Sequence, residues 1–481
     1  MKPEEINNGT LHTLTKGFAI ALLVSILIKP IWTLVIEPIV QNIVSSETFG
    51  LYFALLNLTF LLRVIAELGT NTVISRNIAS GNSGKHWFFA TLKLRLITGL
   101  IYLAIVGLSA WILGYSQKEI GLALLIALIH ISALLFLLMK GTLEGLQKYS
   151  HSGLISSLPR LIMIVLAVVL ILLNAVSILS FITIQIIGFA LASFLIMAYL
   201  IRRLPADPKT SILNVIKASL PYALLGFIMT LYTRIDAVML ERLHPNGPLE
   251  TGWYAGAYRF IDAMWMYVHT GAVMLIAGFA RHQGNLRETT ALMRWGVRFL
   301  ALPVIAGNIT LLAFAKYLMP AVYVDGTNMI SIAQILSFAG ISGAMGYVYS
   351  TYLTATGQTK FLNSFALITF LLNAVLNWIL IPSYGALGAA IATVVAQAIF
   401  ASLCGFKAII IDRIYKHIDI ADELRVVLWL LLISVVAYLL QFSPLNWVLN
   451  MTMFAIFSLL SLFLTGSLTL KDLRPIIRFR T

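Results

Sequence analysis

The sequence predicts an all-α polytopic membrane protein with about 14 transmembrane helices, two six-helix lobes forming a parallel pseudo-repeat and two further C-terminal helices. Three observations carry that expectation. The 481 residues are 60% apolar and 11% charged, with a mean hydropathy of +0.93, whereas a soluble domain has about 25% charged residues. Apolar stretches of about 20 residues, the length of a spanning helix, recur along the whole chain. Lysine and arginine gather in alternate connections between them.

In order, the apolar segments run from Gly17 to Ile43, Phe49 to Ile74, Trp87 to Leu113, Ile120 to Met139, Leu154 to Leu173, Ile178 to Leu200 and Ile216 to Leu243. They continue from Gly252 to Ala280, Thr290 to Ala313, Met329 to Thr354, Phe361 to Ile381, Leu387 to Ile411, Leu424 to Leu440 and Trp447 to Leu464. The opening MKPEEINNGTLHTLTK carries both charge signs and no small-residue cleavage site follows the first apolar run, so that run reads as a retained helix. Trp87, Trp111, Trp253, Trp295, Trp378 and Trp447 lie near segment ends, as interfacial anchors do.

With the amino terminus inside, twenty-two of the 33 Lys and Arg residues fall in inner connections and tails, against Lys118, Arg242 and Lys316 outside. That asymmetry fixes orientation by the positive-inside rule, with both termini cytoplasmic. It also accounts for the formal net charge of +14 without a nucleic-acid partner, because no soluble domain gathers the cations into a face. Membrane lipids are the expected neighbours. The single Cys404 excludes an intramolecular disulfide and a multi-cysteine metal site.

Two short stretches recur. Glu47, Gly50 and Tyr52 in ETFGLYFA match Glu250, Gly252 and Tyr254 in ETGWYAGA, with one residue of slippage; TLEGLQK, ending at Lys148, resembles TATGQTK, ending at Lys360. Both pairs are offset by roughly two hundred residues, which implies two halves of six spans entering the membrane in the same direction. The expected organisation is an N-lobe over 1–200, a cytoplasmic linker over 201–215 containing RRLPADPKTS, a C-lobe over 216–411, and a terminal pair with a basic tail over 412–481. Transporters often bind substrate between such halves.

Charges inside the spans are costly unless they face protein or a wet cavity. Lys29 and Glu37 lie in the first span, Arg63 and Glu67 in the second, Arg234 and Asp236 in the seventh, Arg259 and Asp262 in the eighth. Equivalent helices of the two halves thus carry one base and one acid each. Structural ion pairing and cavity lining are both open for this set. Arg63 and Glu67 are i and i+4, able to pair; Arg234 and Asp236 point about 200° apart and cannot meet the same partner. Glu241 and Arg242 mark where the seventh helix leaves the membrane, and Lys93, Arg95, Arg160 and Arg298 are placed to snorkel to headgroups. His130 and His269 fit packed, hydrogen-bonded histidines better than proton relays.

Enzyme signatures are absent. ASGNSGKH, from Ala79 to His86, lacks the leading glycine of a P-loop and has His where Ser or Thr would bind magnesium; it reads as an inner hairpin turn. Without an ATP motif, movement would draw on a gradient.

These residues resemble a family. ETFGLYF, ELGTNTVISRNIA, LPYALLGFIMTLYTRIDAVML, TGWYAGAYR and NAVLNWILIPSYGALGAAIATVVAQ are similar to the polysaccharide-transporter (Wzx-type) oligosaccharide flippases of the MOP superfamily, relatives of the lipid II flippase and of MATE exporters. The resemblance implies a MATE-like fold and a cation-lined cavity that passes undecaprenyl pyrophosphate-linked oligosaccharide outward across the bacterial cytoplasmic membrane, for O-antigen, capsule or exopolysaccharide synthesis. It implies no cofactor and no resident metal. Carried over, Lys29, Arg63, Arg234 and Arg259 become candidate pyrophosphate ligands, since a dense anion needs paired donors when buried. The acids Glu37, Glu67, Asp236 and Asp262 depart from a purely cationic cavity, and as coupling or structural acids they leave open a link to an H+ or Na+ gradient. A polysaccharide polymerase and glycosyltransferases are the implied protein partners. A cation-coupled drug or small-molecule antiporter and a non-transporting scaffold for polysaccharide assembly are the alternatives.

Overall fold

The computed structural model describes residues 28–79, 84–146, 148, 152–153, 155–417 and 419–468, with the side chains of 72, 221–233, 270, 273, 274 and 277 outside that description. The start of the first expected span, the amino-terminal tail, half of the ASGNSGKH turn and the basic carboxyl tail therefore lie outside the described residues. Among the described residues all regular structure is helical, and nine helices are long and apolar enough to cross a membrane. The protein is a multi-pass membrane protein. Leu100, Trp111, Phe194 and Leu464 are exposed, an arrangement that hydrocarbon accommodates and water penalises by about 25 cal/mol per Å².

Contacts divide the chain into two compact units, one ending at Arg242 and the other beginning at Leu243. In the first unit a π-helical turn, Trp32–Ile36, leads into α1 (Glu37–Val44), followed by α2 (Ser46–Glu67), α3 (Thr70–Ala79), α4 (Lys85–Ile112), α5 (Gln117–Gly145), α6 (Leu158–Leu172), α7 (Ile178–Leu200) and α8 (Ile212–Leu243). α2 packs on α4 and α5, and α5 on α3 and α7. The core where they meet holds Ile74, Phe88, Phe136, Leu143 and Ile196.

The second expected span differs from a single helix. After Glu67 the backbone turns left-handed at Leu68 (φ 46°) and Gly69 (φ 69°) before α3 begins. An L side chain at such a φ costs about 1–2 kcal/mol, and the Thr70 hydroxyl donates to the freed Glu67 carbonyl at 2.7 Å. The segment is continuous in hydropathy and broken in geometry.

The linker is stitched to the start of α4. Gly84, which opens that helix, donates its N–H to Asp207 Oδ2 at 2.8 Å, Trp87 does so at 3.1 Å, and the His86 N–H reaches Asp207 Oδ1 at 2.6 Å. Lys85 donates to the Pro205 carbonyl at 2.9 Å. Gly84 to His86, the end of the stretch compared with a phosphate loop, is thus a helix start whose anion is an internal carboxylate.

The second unit contains α9 (Gly247–Arg281), α10 (Leu286–Gly296), α11 (Leu302–Val322), α12 (Gly326–Ala355), α13 (Thr359–Phe406), α14 (Ile420–Leu440) and α15 (Trp447–Leu464). α12 packs on α9, α11 and α13, and at Gly340 a Cβ would come 2.0 Å from Asn308 Oδ1. Small residues allow this close helix approach, as membrane interfaces require. α13 has 48 residues, too long for one pass at 1.5 Å per residue. It breaks at Gly385 (φ 54°, ψ −131°), between the expected segments ending at Ile381 and starting at Leu387. There Glu250 Oε2 accepts the Ala386 N–H at 2.8 Å.

Candidate functional site

The first unit sets several of its intramembrane charges on two aromatic platforms. On α2, Phe60 lies one turn before Arg63, and the Arg63 guanidinium carbon sits 4.4 Å from the Phe60 ring centre. From α8, Arg234 approaches the same ring at 5.4 Å. Stacking on a phenyl face suits guanidinium, which is planar and weakly hydrated. Glu67 lies 3.7 Å from Arg63, both side chains about a quarter exposed, as the i, i+4 spacing anticipates. His130 of α5 meets the Phe60 ring edge-on at 5.6 Å. Its Nε2 is 3.1 Å from Thr59 Oγ1, whose own proton goes to the Leu55 carbonyl, so Nε2–H donates and a neutral imidazole satisfies the contact.

The other platform is Trp32, buried and stacked on Phe181 at 5.3 Å. Its indole N–H donates to Glu37 at 2.7 Å, and Arg160 lies 5.4 Å over its ring. Half-buried Lys29 stands close enough to Lys140 and Arg160 for their charges to act on it, while Lys140 pairs with Glu144 at 3.3 Å. Arg160 therefore packs on an aromatic wall rather than snorkelling.

Arg95 corrects its expectation more sharply. It is 3% exposed, with Nε and Nη2 donating to Thr70 Oγ1 at 3.0 and 2.9 Å and Nη1 to the Leu134 carbonyl. It fills the break between α2 and α3. Arg298 is equally buried, 3.3 Å from Asp422, which also holds Arg294 at 2.8 Å. Glu241 is not a simple membrane exit: it is 3% exposed, accepts from the Tyr115 hydroxyl at 2.5 Å and from Arg242 Nε at 2.6 Å, and Arg242 covers the Tyr115 ring at 3.8 Å.

The second unit places Arg259 2% exposed, donating from Nη1 to the Tyr323 hydroxyl at 3.1 Å, which donates in turn to the Gly256 carbonyl at 3.2 Å. Tyr254 and Tyr258 stack nearby along α9 at 5.5 Å. Asp262 is half-buried on the same helix, and His269 pairs with the Tyr347 hydroxyl. Asp236, in the first unit, is 7% exposed. Of the four candidate anion ligands, Arg63 and Arg234 share one ring, Lys29 belongs to the Trp32 group, and Arg259 lies in the other unit. Sequence reasoning missed Phe60 and Trp32 as platforms; the Phe60–Arg63 spacing of i and i+3 was the available signal. Among the described residues no cluster of His, Cys, Asp or Glu could hold a metal ion.

The model of a family described as polysaccharide biosynthesis protein matches residues 14–277, more than half of the chain. The chain belongs to that family. Its fold is like that of solved transporters. The lipid II flippase MurJ in an inward closed conformation superposes with a TM-score of 0.67 at 19% identity, over 96% of this chain and 99% of that one. An inward-facing multidrug MATE transporter gives 0.61 at 15% identity, over 85% and 95%. A MOP-superfamily transporter from Pyrococcus furiosus, described as having a binding pocket of reverse polarity, gives 0.58 at 16%, over 85% and 96%. At these identities the likeness shows the fold alone. No curated protein sequence matches.

Proposed function

We propose that this chain is a flippase that carries undecaprenyl pyrophosphate-linked oligosaccharide repeat units across the bacterial cytoplasmic membrane by alternating access. The observation that carries the reading is the convergence of Arg63 and Arg234 on Phe60. Two guanidinium groups at one ring repel each other, and a doubly charged pyrophosphate arriving between them converts that repulsion into charge-assisted hydrogen bonds. Family membership supports a polysaccharide precursor as cargo. In this reading Lys29 and Arg259 are further phosphate contacts, the lobes are 1–200 and 216–411, and both termini face the cytoplasm. The acids Glu37, Glu67, Asp236 and Asp262 balance the cations or carry the H+ or Na+ that drives the cycle. The polymerase and glycosyltransferases that use the same lipid-linked sugar are the proposed protein partners.

The experiment is complementation with Arg63→Ala/Arg234→Ala at matched membrane abundance. The expected outcome is loss of surface polysaccharide with the lipid-linked unit accumulating on the inner leaflet. Full export by the double variant would falsify the ligand assignment. Reconstitution with a labelled lipid-linked sugar separates the other readings: movement of an organic cation instead favours an antiporter, and no facilitated movement under any ion gradient favours a scaffold.

A further inference from the structure

The inner end of α4 carries a feature that cargo transport does not use. Asp207 occupies the N–H groups at the head of this helix, and by holding the linker there it presents Lys209, Thr210 and Ser211 beside Lys85 and Lys93. Together with His86 these residues line a cavity of about 490 Å³, closed on its apolar side by Phe89, Ala90 and Ile212. Three lysines and no carboxylate are among the lining residues. The volume lies within the roughly 300–1,000 Å³ of sites that hold small molecules.

An exposed apolar stripe continues along α4 from Lys93, which lines the cavity. From Lys93, the residues at i+3, i+4, i+7 and i+8 on α4 are Leu96, Ile97, Leu100 and Ile101, all exposed, and such spacing aligns them on one helical face. A basic, hydroxyl-bearing pocket at the head of an apolar stripe has the polarity profile of one lipid molecule. Snorkelling explains a lone Lys93; it does not explain why Lys209, from a segment more than a hundred residues away, converges on the same cavity.

We propose that this cavity is a headgroup site for an anionic glycerophospholipid, whose phosphate is held by Lys85, Lys93 and Lys209 and whose acyl chains lie along Leu96, Ile97, Leu100 and Ile101. The site is separate from the Phe60 and Trp32 platforms and does not depend on what the transporter carries. Because Asp207 and the lipid both engage the linker, an occupied site holds the linker against α4.

Native mass spectrometry of the full-length chain, with phosphatidylglycerol, phosphatidylcholine and inorganic phosphate as probes, tests the site. Wild-type protein is expected to retain one phosphatidylglycerol in preference to phosphatidylcholine, with retention falling about fivefold for each lysine lost in Lys93→Gln, Lys209→Gln and their combination, as surface lysines near anionic lipid imply. Both lysines are exposed, so the variants keep the fold, which an unchanged melting profile in phosphatidylcholine verifies. Equal retention by the double variant overturns the proposal. Displacement of the lipid by inorganic phosphate at matched ionic strength overturns it as well, by making the pocket a free-anion site. Arg63→Ala/Arg234→Ala is expected to leave retention unchanged; a loss there would place the lipid at the central cations instead. Failure of the cargo assignment and failure of the lipid site therefore have different signatures.

Discussion

Arg63 and Arg95 lie on packed helices of one unit, yet their surroundings differ in kind. Arg95 is sealed in, its donors taken by a hydroxyl and a main-chain carbonyl at the α2–α3 break. Arg63 is a quarter exposed, laid over Phe60 and facing Glu67 across 3.7 Å. With its donors taken at that break, Arg95 is part of the scaffold. A cation resting on a ring beside one loosely placed carboxylate can exchange that contact for a ligand.

The largest effect that would break this contrast is on stability. Arg95→Leu leaves Thr70 and the Leu134 carbonyl without their donor and is expected to cost about 3 kcal/mol, read as a lowered melting temperature in detergent and reduced membrane abundance. An Arg95→Leu protein that melts normally but fails to export would reverse the two roles. Arg63→Lys keeps the charge but loses the fork and the flat stacking surface; about a tenfold drop in transport rate at unchanged stability is expected. Asp207→Asn tests a polar lock outside the membrane and should cost about 1 kcal/mol as a weakened helix cap.

That lock also has a pH signature. Burial pushes the Asp207 carboxyl up, but the N–H groups of His86, Gly84 and Trp87 and the His86 ring together outweigh it and hold the group below its ordinary value of 3.8. A depressed folded-state pKa gives stability that is complete above the unfolded value and lost as pH falls through the folded one. Acid melting curves taken from neutral pH to below the ordinary carboxylate range should therefore draw together for wild type and Asp207→Asn as pH falls. Curves that stay parallel would remove Asp207 as the lock. The smallest effect belongs to Glu67→Gln, about 0.5 kcal/mol for a part-exposed pair, with substrate affinity rising rather than falling as Arg63 is released.

The all-helical membrane fold was legible in the sequence because hydropathy is a property of the chain itself. The division of α13 near Gly385 followed from IPSYGALG, where Pro and Gly interrupt an apolar run. The break at Leu68 did not, since a left-handed backbone leaves no mark on hydropathy. The burial of Arg95, Arg298 and Glu241 was missed for a shared reason: the partners that make it tolerable, Thr70 and Leu134, Asp422, and Tyr115, are distant in sequence. The Asp207 cap, reaching across more than a hundred residues to the head of α4, is a still clearer case. Periodicity places a charge on a helix; only tertiary structure says who answers it.

Glu250, near the beginning of α9, holds the amide of Ala386 just past the Gly385 break, and a Cβ at Gly385 would stand 2.6 Å from that carboxylate. Charged hydrogen bonds of this kind resist separation by about 1.5–3 kcal/mol. This joins the head of one helix to the elbow of another as a single lever arm, so any flexure within the second unit has to be found away from that joint.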